Sequence, residues 1–418
     1  MSKSAHKKKN SIYLDNNATT ETCKPSIEAT IKWLREPINP SSDSKYGNDA
    51  RKMLEAGCKY IQTHCSAKNY SVIYTSGASE SNSLIIRSTV EAYLKYKRIK
   101  PHLITSLTEH KSILKTCDSL RQLGMLDVTY VSPGISGCIP VSLIQNAVKS
   151  NTCMISIMAA NNELGCINNL KSIGSFAHEK KIPFHSDFVQ VFGKFKYNLP
   201  EHNIDAISVS FHKLYGPTGC GLLVVNNDLI KGYGLDSQIA GTQQNGLRGG
   251  TQNVPAIAGS LAAMKHTFKD RKKKNDKLYV FRKFIMDEIG KNFDIGDYKK
   301  YVDNATPDDA KSFEIVFLGQ NNNKLSLPNT ILISIVKNEG VSFCNVNLKK
   351  ALDKSGIIVS IGSACNTLSP TASHVLQAIK APDVIKKGVI RVSLCDTTTK
   401  KDINCFLKIF IKAVNDQR

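Results

Sequence analysis

The sequence predicts an α/β protein with a mainly parallel central sheet, helices on both of its faces, and a smaller α+β unit. Three observations carry this prediction. Short apolar runs rich in β-branched residues alternate with amphipathic stretches through the first half of the chain, which favours parallel strands joined by helices. The length of 418 residues exceeds what one hydrophobic core usually serves. The pattern then changes after a stretch rich in Lys and Arg near residues 265–285.

The large unit is predicted from a series of short strands and the helices between them. A short strand at 11–15 opens the chain, and a helix follows Pro25. The predicted strands of the sheet share a short apolar run that ends in a turn: Ser71–Thr75, His102–Ser106, Asp127–Val131, Cys153–Met158, Ile182–His185 and Ala206–Ser210. Helices are predicted between most of them: after Ser79, at Lys111–Leu123, and near 140–149 and 169–180. Ligands of such sheets bind beyond the carboxyl ends of the strands.

The second half predicts a smaller unit. One long helix begins after Pro255 and runs through the Lys/Arg-rich stretch. Its further predicted elements are strands at Phe313–Leu318, Asn329–Val336 and Gly356–Ser360, and helices at Val346–Ser355 and Ile403–Val414. The predicted division is a disordered basic tail at 1–10, a large domain at 23–270, and a small domain made of 11–22 and 271–418.

Composition excludes several classes of protein. The formal net charge is +21, but the lysines are scattered and clear clusters occur only at Lys7–Lys9 and Arg271–Lys274. Without interleaved aromatic residues this indicates a solvated basic surface, and we do not expect nucleic-acid binding. We expect no membrane span, since apolar runs are short, and a cytoplasmic location, since the polar start resembles no signal peptide. The 12 cysteines show no zinc-site spacing, so no metal is expected.

Lys213 is the first candidate functional residue. It follows the apolar run Ala206–Ser210 and precedes the turn Gly216-Pro-Thr-Gly219. An amine at the exit of a buried strand is desolvated, which lowers its pKa and leaves it nucleophilic. Such an amine can form the Schiff base that holds pyridoxal 5'-phosphate (PLP). The alternative is an ordinary surface lysine.

Four further polar features follow predicted strands. The turn Ser76–Ser79 opens a helix and could bind a phosphate, or could be a plain cap. His110 could stack on a flat ring or be structural. The loop Asn161–Gly165 could bind a ligand or be only a turn. Asp187, with Gln190 three residues later, could pair with a cationic ring nitrogen or cap a helix.

These features belong to a longer series of motifs. In chain order they are Tyr13-Leu-Asp15…Ala18-Thr-Thr20, Asn39–Ser42, Thr75–Asn82, Thr108–Lys111, Asn161–Gly165, Ser210–Lys213, Tyr215–Pro217, Leu247–Asn253, Ile361–Cys365 and Arg391–Leu394. The series resembles the PLP-dependent cysteine desulfurases, the NifS/IscS-like members of the class-V aminotransferase family. The pair Ser210-Phe-His-Lys213 and Gly362-Ser-Ala-Cys365 is the most distinctive. The resemblance implies the fold-type I architecture of PLP-dependent transferases.

The resemblance also implies roles at the cofactor ring. Lys213 would form the Schiff base and shuttle the Cα proton. Asp187 would pair with the pyridinium nitrogen, and His110 would stack on the ring and assist proton transfer. Asn162 and Gln190 would bond the phenolate oxygen, and Asn162 would also contact the substrate.

At the phosphate, the resemblance implies Ala78, Ser79, Ser210 and His212. Thr251 would add a contact from the neighbouring subunit, so a homodimer is expected.

For the substrate, the resemblance implies that Arg391 binds the carboxylate of L-cysteine and that Cys365 accepts the sulfur as a persulfide, releasing L-alanine. The sulfur would pass to an acceptor protein, such as an iron–sulfur scaffold or a tRNA thiolation enzyme. Phe188, Val189 and Ser44 depart from the family pattern. Two alternatives stay open: a related PLP lyase or transaminase such as a selenocysteine lyase, and a catalytically degenerate member acting as a binding protein.

Overall fold

The computed structural model describes residues 11–302, 313–319, 325–337, 343–361 and 373–417. Its strands are β1 Ile12–Tyr13, β2 Tyr70–Thr75, β3 His102–Ser106, β4 Asp127–Val131, β5 Thr152–Ser156, β6 Phe184–Asp187, β7 Ala206–Ser210, β8 Gly221–Asn226, β9 Asp294–Ile295, β10 Phe313–Leu318, β11 Thr330–Lys337, β12 Ile357–Ile358, β13 Ser360–Ile361 and β14 Val389–Ser393. Its helices are α1 Lys24–Leu34, α2 Lys45–His64, α3 Ala78–Lys97, α4 Lys111–Gln122, α5 Val141–Ala147, α6 Leu170–Glu179, α7 Asn227–Tyr233, α8 Val254–Phe268, α9 Arg271–Gly290, α10 Tyr298–Val302, α11 Asn345–Lys354, α12 His374–Ala378, α13 Asp383–Lys387 and α14 Lys400–Asn415.

The large sheet is mainly parallel, as predicted. Among the described residues its strands run in the order β2-β8-β7-β6-β5-β3-β4. The pairs β7–β6, β6–β5, β5–β3 and β3–β4 are parallel. Only β8 runs against its neighbours β2 and β7. The parallel strands therefore present their carboxyl ends at one edge, where the site forms.

Helices cover both faces of this sheet. On β2, Tyr74 faces a core formed with α2, α5, α6 and α8, whereas the adjacent Ile73 faces a second core formed with α3, α4 and α7. Successive side chains of a strand point to opposite faces, so each strand supplies both cores. The predicted architecture is thereby confirmed.

A smaller mixed sheet makes up the second unit, in the order β13-β14-β11-β10-β9. One of its faces packs on α9, α11 and α14, and the other on α10, α12 and α13. The N-terminal strand β1 pairs in parallel with β12, through Ile12 and Ile357. The segment after β1 contacts both units, because the carbonyl of Leu14 accepts from the N–H of Ser393 on β14 and the carbonyl of Asn17 accepts from Nζ of Lys213 beyond β7. The domain boundaries given above remain predictions.

Several details differ from the sequence prediction. The single long helix after Pro255 is two helices, α8 and α9, because the backbone turns at Lys269 and Asp270, and Asp270 has a left-handed φ of 55°. Strand β6 lies two residues further along than predicted, so Asp187 is its last residue. Strands β8, β9 and β14 and the short helices α7, α10, α12 and α13 were not predicted. Strand β5 ends at Ser156 instead of Met158, and the predicted strand Gly356–Ser360 is two short strands, β12 and β13. No helix among the described residues is long and apolar enough to cross a membrane.

Candidate active site

A cleft of about 550 Å³ opens at the carboxyl ends of the parallel strands. It brings together ten of the residues that the sequence singles out: Ala78, Ser79, His110, Asn162, Asp187, Gln190, Ser210, His212, Lys213 and Arg391. They come from the ends of β2, β3, β5, β6 and β7 and from β14 of the smaller sheet. Thr251 is exposed and is not among the residues that line the cleft. Cys365 lies outside the described residues.

Lys213 lies at the centre of the cleft. It ends a single 3₁₀ turn, Phe211–Lys213, that follows β7 directly. Its Nζ donates to the carbonyl of Asn17 at 2.6 Å and to the carbonyl of Ala18. Burial, reinforced by the charge of Arg391, lowers the pKa of Lys213 from 10.5 to about 8. A substantial fraction of this amine is therefore neutral, and nucleophilic, slightly above neutral pH.

Asp187 is a buried carboxylate at the end of β6. The residue is 4% exposed and lines the cleft. Oδ2 accepts from Nδ2 of Asn82 at 3.0 Å, and Oδ1 accepts from the backbone N–H of Val189 at 3.0 Å. These bonds fix the carboxylate and leave lone pairs for a ligand donor.

A hydrogen-bond chain joins Asp187 to His110. Asn82 lies four residues after Ala78 on α3, and its Nδ2 also donates to Oγ of Ser112 at 3.0 Å. Ser112 contacts Nδ1 of His110 through both its hydroxyl, at 2.8 Å, and its backbone N–H, at 3.1 Å. Because the backbone N–H donates to Nδ1, a neutral imidazole carries its proton on Nε2. The chain therefore sets both the position and the tautomer of the ring.

His110 caps α4 with this same bond, so the ring is held at the start of the helix. The residue keeps an exposed surface at the cleft, although protein surrounds it closely. Burial lowers the pKa of His110, while the nearby Asp187 charge acts in the opposite direction. The ring is thus accessible to a ligand and predominantly neutral at pH 7.

One end of the cleft suits an anion. The first N–H groups of α3 have no partner within the helix, and the helix dipole favours negative charge there. The strand β8 begins with Gly221, where a Cβ would lie 2.5 Å from Cα of Gly77, so only glycine lets β8 approach the start of α3. Glu80, in the first turn of α3, is neutralised by Arg248 at 2.9 Å.

Ser210 and His212 complete this end of the cleft. A Cβ at Gly77 would lie 3.7 Å from Oγ of Ser210, which places the hydroxyl beside the start of α3. The ring of His212 contacts Oγ1 of Thr19 through Nδ1 at 3.0 Å. Burial and the charge of Lys213 lower the pKa of His212 to about 4, so the ring is neutral at pH 7.

Arg391 projects from β14 into the opposite side of the cleft. It is 7% exposed, and its Nη2 pairs with Oδ1 of Asp15 at 2.6 Å. Its Nη1 donates to the carbonyl of Asn162 at 3.2 Å, and its buried Nε has no partner among the described residues. The carbonyl of Asn162 also accepts from Nδ2 of Asn17, and Nε2 of Gln190 donates to the carbonyl of Asn17 at 3.3 Å.

Sequence reasoning assigned no role to Asp15, Asn17, Asn82 or Ser112, although Asp15 and Asn82 belong to motifs quoted above. Asp15 and Asn17 lie two and four residues after the end of β1, and a polar residue near a strand end is the same signal that drew attention to Asp187. The position of Asn82 was visible as well, because residues four apart lie on one face of a helix. No sequence signal pairs Ser112 with His110 beyond their proximity.

Two departures from the family pattern are not among the residues that line the cleft. Phe188 is 1% exposed, and its ring packs against Tyr197 with centroids 4.9 Å apart. Ser44 caps α2 by accepting from the N–H of Gly47 at 3.1 Å. Val189 does line the cleft, beside Asp187.

Comparison with known proteins agrees with this arrangement. Residues 12–293 match the model of the class-V aminotransferases. The cysteine desulfurase IscS of Dictyoglomus turgidum is 33% identical over 412 residues, covering 98% of this chain and 96% of the relative. The solved structure of a NifS-like protein superposes with a TM-score of 0.82 at 28% identity, covering 97% of this chain and 100% of that one. A structure of SspA in complex with cysteine gives a TM-score of 0.71 at 30% identity, covering 93% and 100%.

The chain belongs to the class-V aminotransferase family of PLP-dependent enzymes. Within that family, its relatives over nearly the whole length are cysteine desulfurases.

Proposed function

We propose that this protein is a PLP-dependent cysteine desulfurase that converts L-cysteine to L-alanine and keeps the sulfur as a persulfide on Cys365. One observation carries the proposal. The amine of Lys213, the carboxylate of Asp187 and the guanidinium of Arg391 line a single cleft. An amine, a buried carboxylate and a guanidinium are the groups needed to hold PLP and an amino-acid substrate.

The residues present fit PLP. Lys213, with its lowered pKa, would hold the cofactor covalently, and Asp187 would accept a hydrogen bond from the ring nitrogen. The ring oxygen would meet Asn162 and Gln190. The phosphate would lie at the start of α3, where Ala78, Ser79, Ser210 and His212 would bind it. When bound, PLP supplies an electron sink for the charge left by loss of the substrate Cα proton.

The chain's own residues would prepare the substrate. Arg391 would bind the carboxylate of cysteine with charge-assisted hydrogen bonds, which fixes the Cα–H bond relative to Lys213. Nζ of Lys213 would take the Cα proton, and its pKa near 8 suits a base that works close to neutral pH. His110 would keep its Nε2 proton available for transfer, because Ser112 occupies Nδ1.

Sulfur transfer would use Cys365, which lies outside the described residues. Its thiolate would attack the sulfur of cysteine, forming an S–S bond while the Cβ–S bond of the substrate breaks. Proton delivery to the carbon skeleton then yields alanine. Cysteine and one thiol thus become alanine and one persulfide, without an external oxidant.

Absorbance of the purified protein, followed by a cysteine-to-alanine assay, tests the proposal. We expect an absorbance band of bound PLP that is lost in Lys213→Ala, and alanine release that needs Cys365. A colourless protein that PLP cannot reconstitute would refute both cofactor and function. A Cys365→Ala variant that releases sulfide at the parent rate would instead indicate a related lyase or transaminase, such as a selenocysteine lyase.

We further propose that the enzyme is a cytoplasmic homodimer that passes its sulfur to an acceptor protein. A homodimer is supported by Ile27, Ile31 and Leu34, which form an exposed apolar stripe on α1. The exposed Thr251 would contact the phosphate of the neighbouring subunit. The sulfur would leave to an acceptor protein, either an iron–sulfur scaffold or a tRNA thiolation enzyme, in the cytoplasm. Size-exclusion chromatography with light scattering would test the dimer, and a monomer would refute it.

A further inference from the structure

The segment Asp15–Ala18 contacts two of the groups that would handle the substrate. The carbonyls of Asn17 and Ala18 accept from Nζ of Lys213. On the same segment, the carboxylate of Asp15 pairs with Nη2 of Arg391 at 2.6 Å. One short stretch therefore connects the predicted cofactor lysine with the predicted carboxylate-binding arginine.

The ion pair of Asp15 and Arg391 is shielded from solvent. The side chain of Arg391 is 9% exposed and that of Asp15 is 17% exposed. In such a setting a charge-assisted bond is strong and directional, and solvent screens it weakly. Asp15 therefore restricts the plane of the guanidinium far more than an exposed partner would.

Other bonds fix Arg391 incompletely. Nη1 donates to the carbonyl of Asn162 at 3.2 Å, and Nε has no partner among the described residues. A single neutral bond would let the planar group rotate about it. Asp15 supplies the second fixed point, and two fixed points define the orientation of the donors that remain for a ligand.

We propose that Asp15 is a positioning residue, which orients Arg391 so that the enzyme recognises the carboxylate of its amino-acid substrate. This inference rests on the proposed function, because it assigns the carboxylate to Arg391. Asp15 acts through the arginine and is not itself placed on the substrate.

The backbone of the segment does not depend on the carboxylate of Asp15. The N–H of Ser393 donates to the carbonyl of Leu14 at 2.7 Å, and the N–H of Asn17 donates to Oγ of Ser393 at 3.0 Å. Nδ2 of Asn16 adds a bond to the carbonyl of Ser393 at 2.9 Å. These bonds attach the segment to β14, so a variant that lacks the carboxylate is expected to fold with the segment in place.

Asp15 also acts on Lys213. The charge of Arg391 contributes to the lowered pKa of Lys213, and the charge of Asp15 opposes it. Removing that charge should lower the pKa of Lys213 further. Replacing Asp15 can therefore have two separate effects. The orientation of the guanidinium depends on an oxygen acceptor at this position, whereas the effect on Lys213 depends on the negative charge.

The variants Asp15→Ala and Asp15→Asn separate these effects. Asparagine keeps an oxygen acceptor for Nη2 but removes the charge, whereas alanine removes both. Asp127→Asn is the matched control, since Asp127 pairs with Lys100 at 2.7 Å on the exposed start of β4. Calorimetric titration of the PLP-loaded full chain would measure affinity for L-alanine and for L-alaninol, which differ only at the carboxylate. Steady-state kinetics with L-cysteine would run in parallel.

We expect Asp15→Ala to weaken L-alanine binding and to raise KM for L-cysteine by about tenfold, the loss of one good charge-assisted bond, with kcat nearly unchanged. L-alaninol binding should stay constant. Asp15→Asn should recover most of the affinity. In both variants the acidic limb of the pH profile of kcat should move to lower pH, because Lys213 must be neutral to take the Cα proton and its pKa is lowered further. The control should match the parent in every readout.

Other results would contradict either the inference or the proposed function. Equal loss of L-alanine and L-alaninol binding would show that Asp15 only supports the fold, and unchanged L-alanine binding would show that Arg391 is oriented without it. Either would overturn the inference while the parent still turns over cysteine. A parent that neither turns over cysteine nor prefers L-alanine to L-alaninol would refute the proposed function itself, and this inference with it.

Discussion

Replacing Lys213 with methionine should change the stability of the cofactor-free protein in a pH-dependent way. The pKa of Lys213 is lowered from 10.5 to about 8, first by burial and then by the charge of Arg391. Between these two values the unfolded chain holds a proton on this amine that the folded protein lacks. Stability therefore rises with pH across this window, and below pH 8 the folded state bears the full cost of a buried charge.

The magnitude follows from the same pKa. A tenfold change in an ionisation constant corresponds to about 1.4 kcal/mol, so the protonated amine costs about 3 kcal/mol of stability at pH 7. Methionine removes this cost but also removes two hydrogen bonds, to the carbonyls of Asn17 and Ala18, worth about 1 kcal/mol each. Lys213→Met should be about 1 kcal/mol more stable than the parent at pH 7 and about 2 kcal/mol less stable at pH 10.5.

Urea unfolding of the cofactor-free protein at pH values from 7 to 10.5 would measure this difference. Lys231→Met, a change at an exposed lysine of α7, is the control, and its difference from the parent should stay flat. A difference between Lys213→Met and the parent that did not vary with pH would refute the reasoning. The amine would then have an ordinary pKa in the folded protein.

Two further predictions concern residues that support the lining of the cleft from behind. Asn82→Leu keeps the volume but removes the donor to Asp187, so PLP affinity measured by absorbance titration should fall about tenfold; unchanged affinity would remove Asn82 from the site. Gly221→Ala would place a Cβ 2.5 Å from Cα of Gly77, which should lower the free energy of unfolding by about 1–3 kcal/mol and weaken PLP binding. Gly232→Ala is its control, because that Cβ would meet no atom within 4 Å beyond its chain neighbours and the backbone of its own helix. Equal effects in the two variants would contradict the explanation.

The sequence predicted the fold where local pattern and tertiary context agree. Strands β3, β4 and β7 match the prediction residue for residue, since each is a compact run bounded by turn residues. Strand β8 was not predicted because its apolar run follows a Gly-rich turn and shows no alternation of apolar and polar residues. The break between α8 and α9 was not predicted because Lys269 and Asp270 lie within a continuous helical pattern of the sequence. The turn at these residues depends on packing.

The candidate site was predictable to the extent that it lies at strand ends. Asp187 and Lys213 were found this way, and the structure places both in the cleft. Asn82 and Ser112 act through other side chains, and such contacts depend on how two helices pack. Asp15 depends on the approach of β1 to the smaller sheet, which is a contact between residues 376 positions apart. Sequence pattern records which residues end a strand but not which distant strands meet.

The position of Phe188 shows why a departure from a family pattern need not disturb the site. Asp187 ends β6 with its carboxylate in the cleft, and the next side chain points to the opposite side. Phe188 therefore enters the core, where its ring meets Tyr197 edge to face at 66°. The carboxylate of Asp187 keeps its two donors, the backbone N–H of Val189 and Nδ2 of Asn82. The larger side chain thus adds buried apolar area behind the strand while the donors around Asp187 stay as they are.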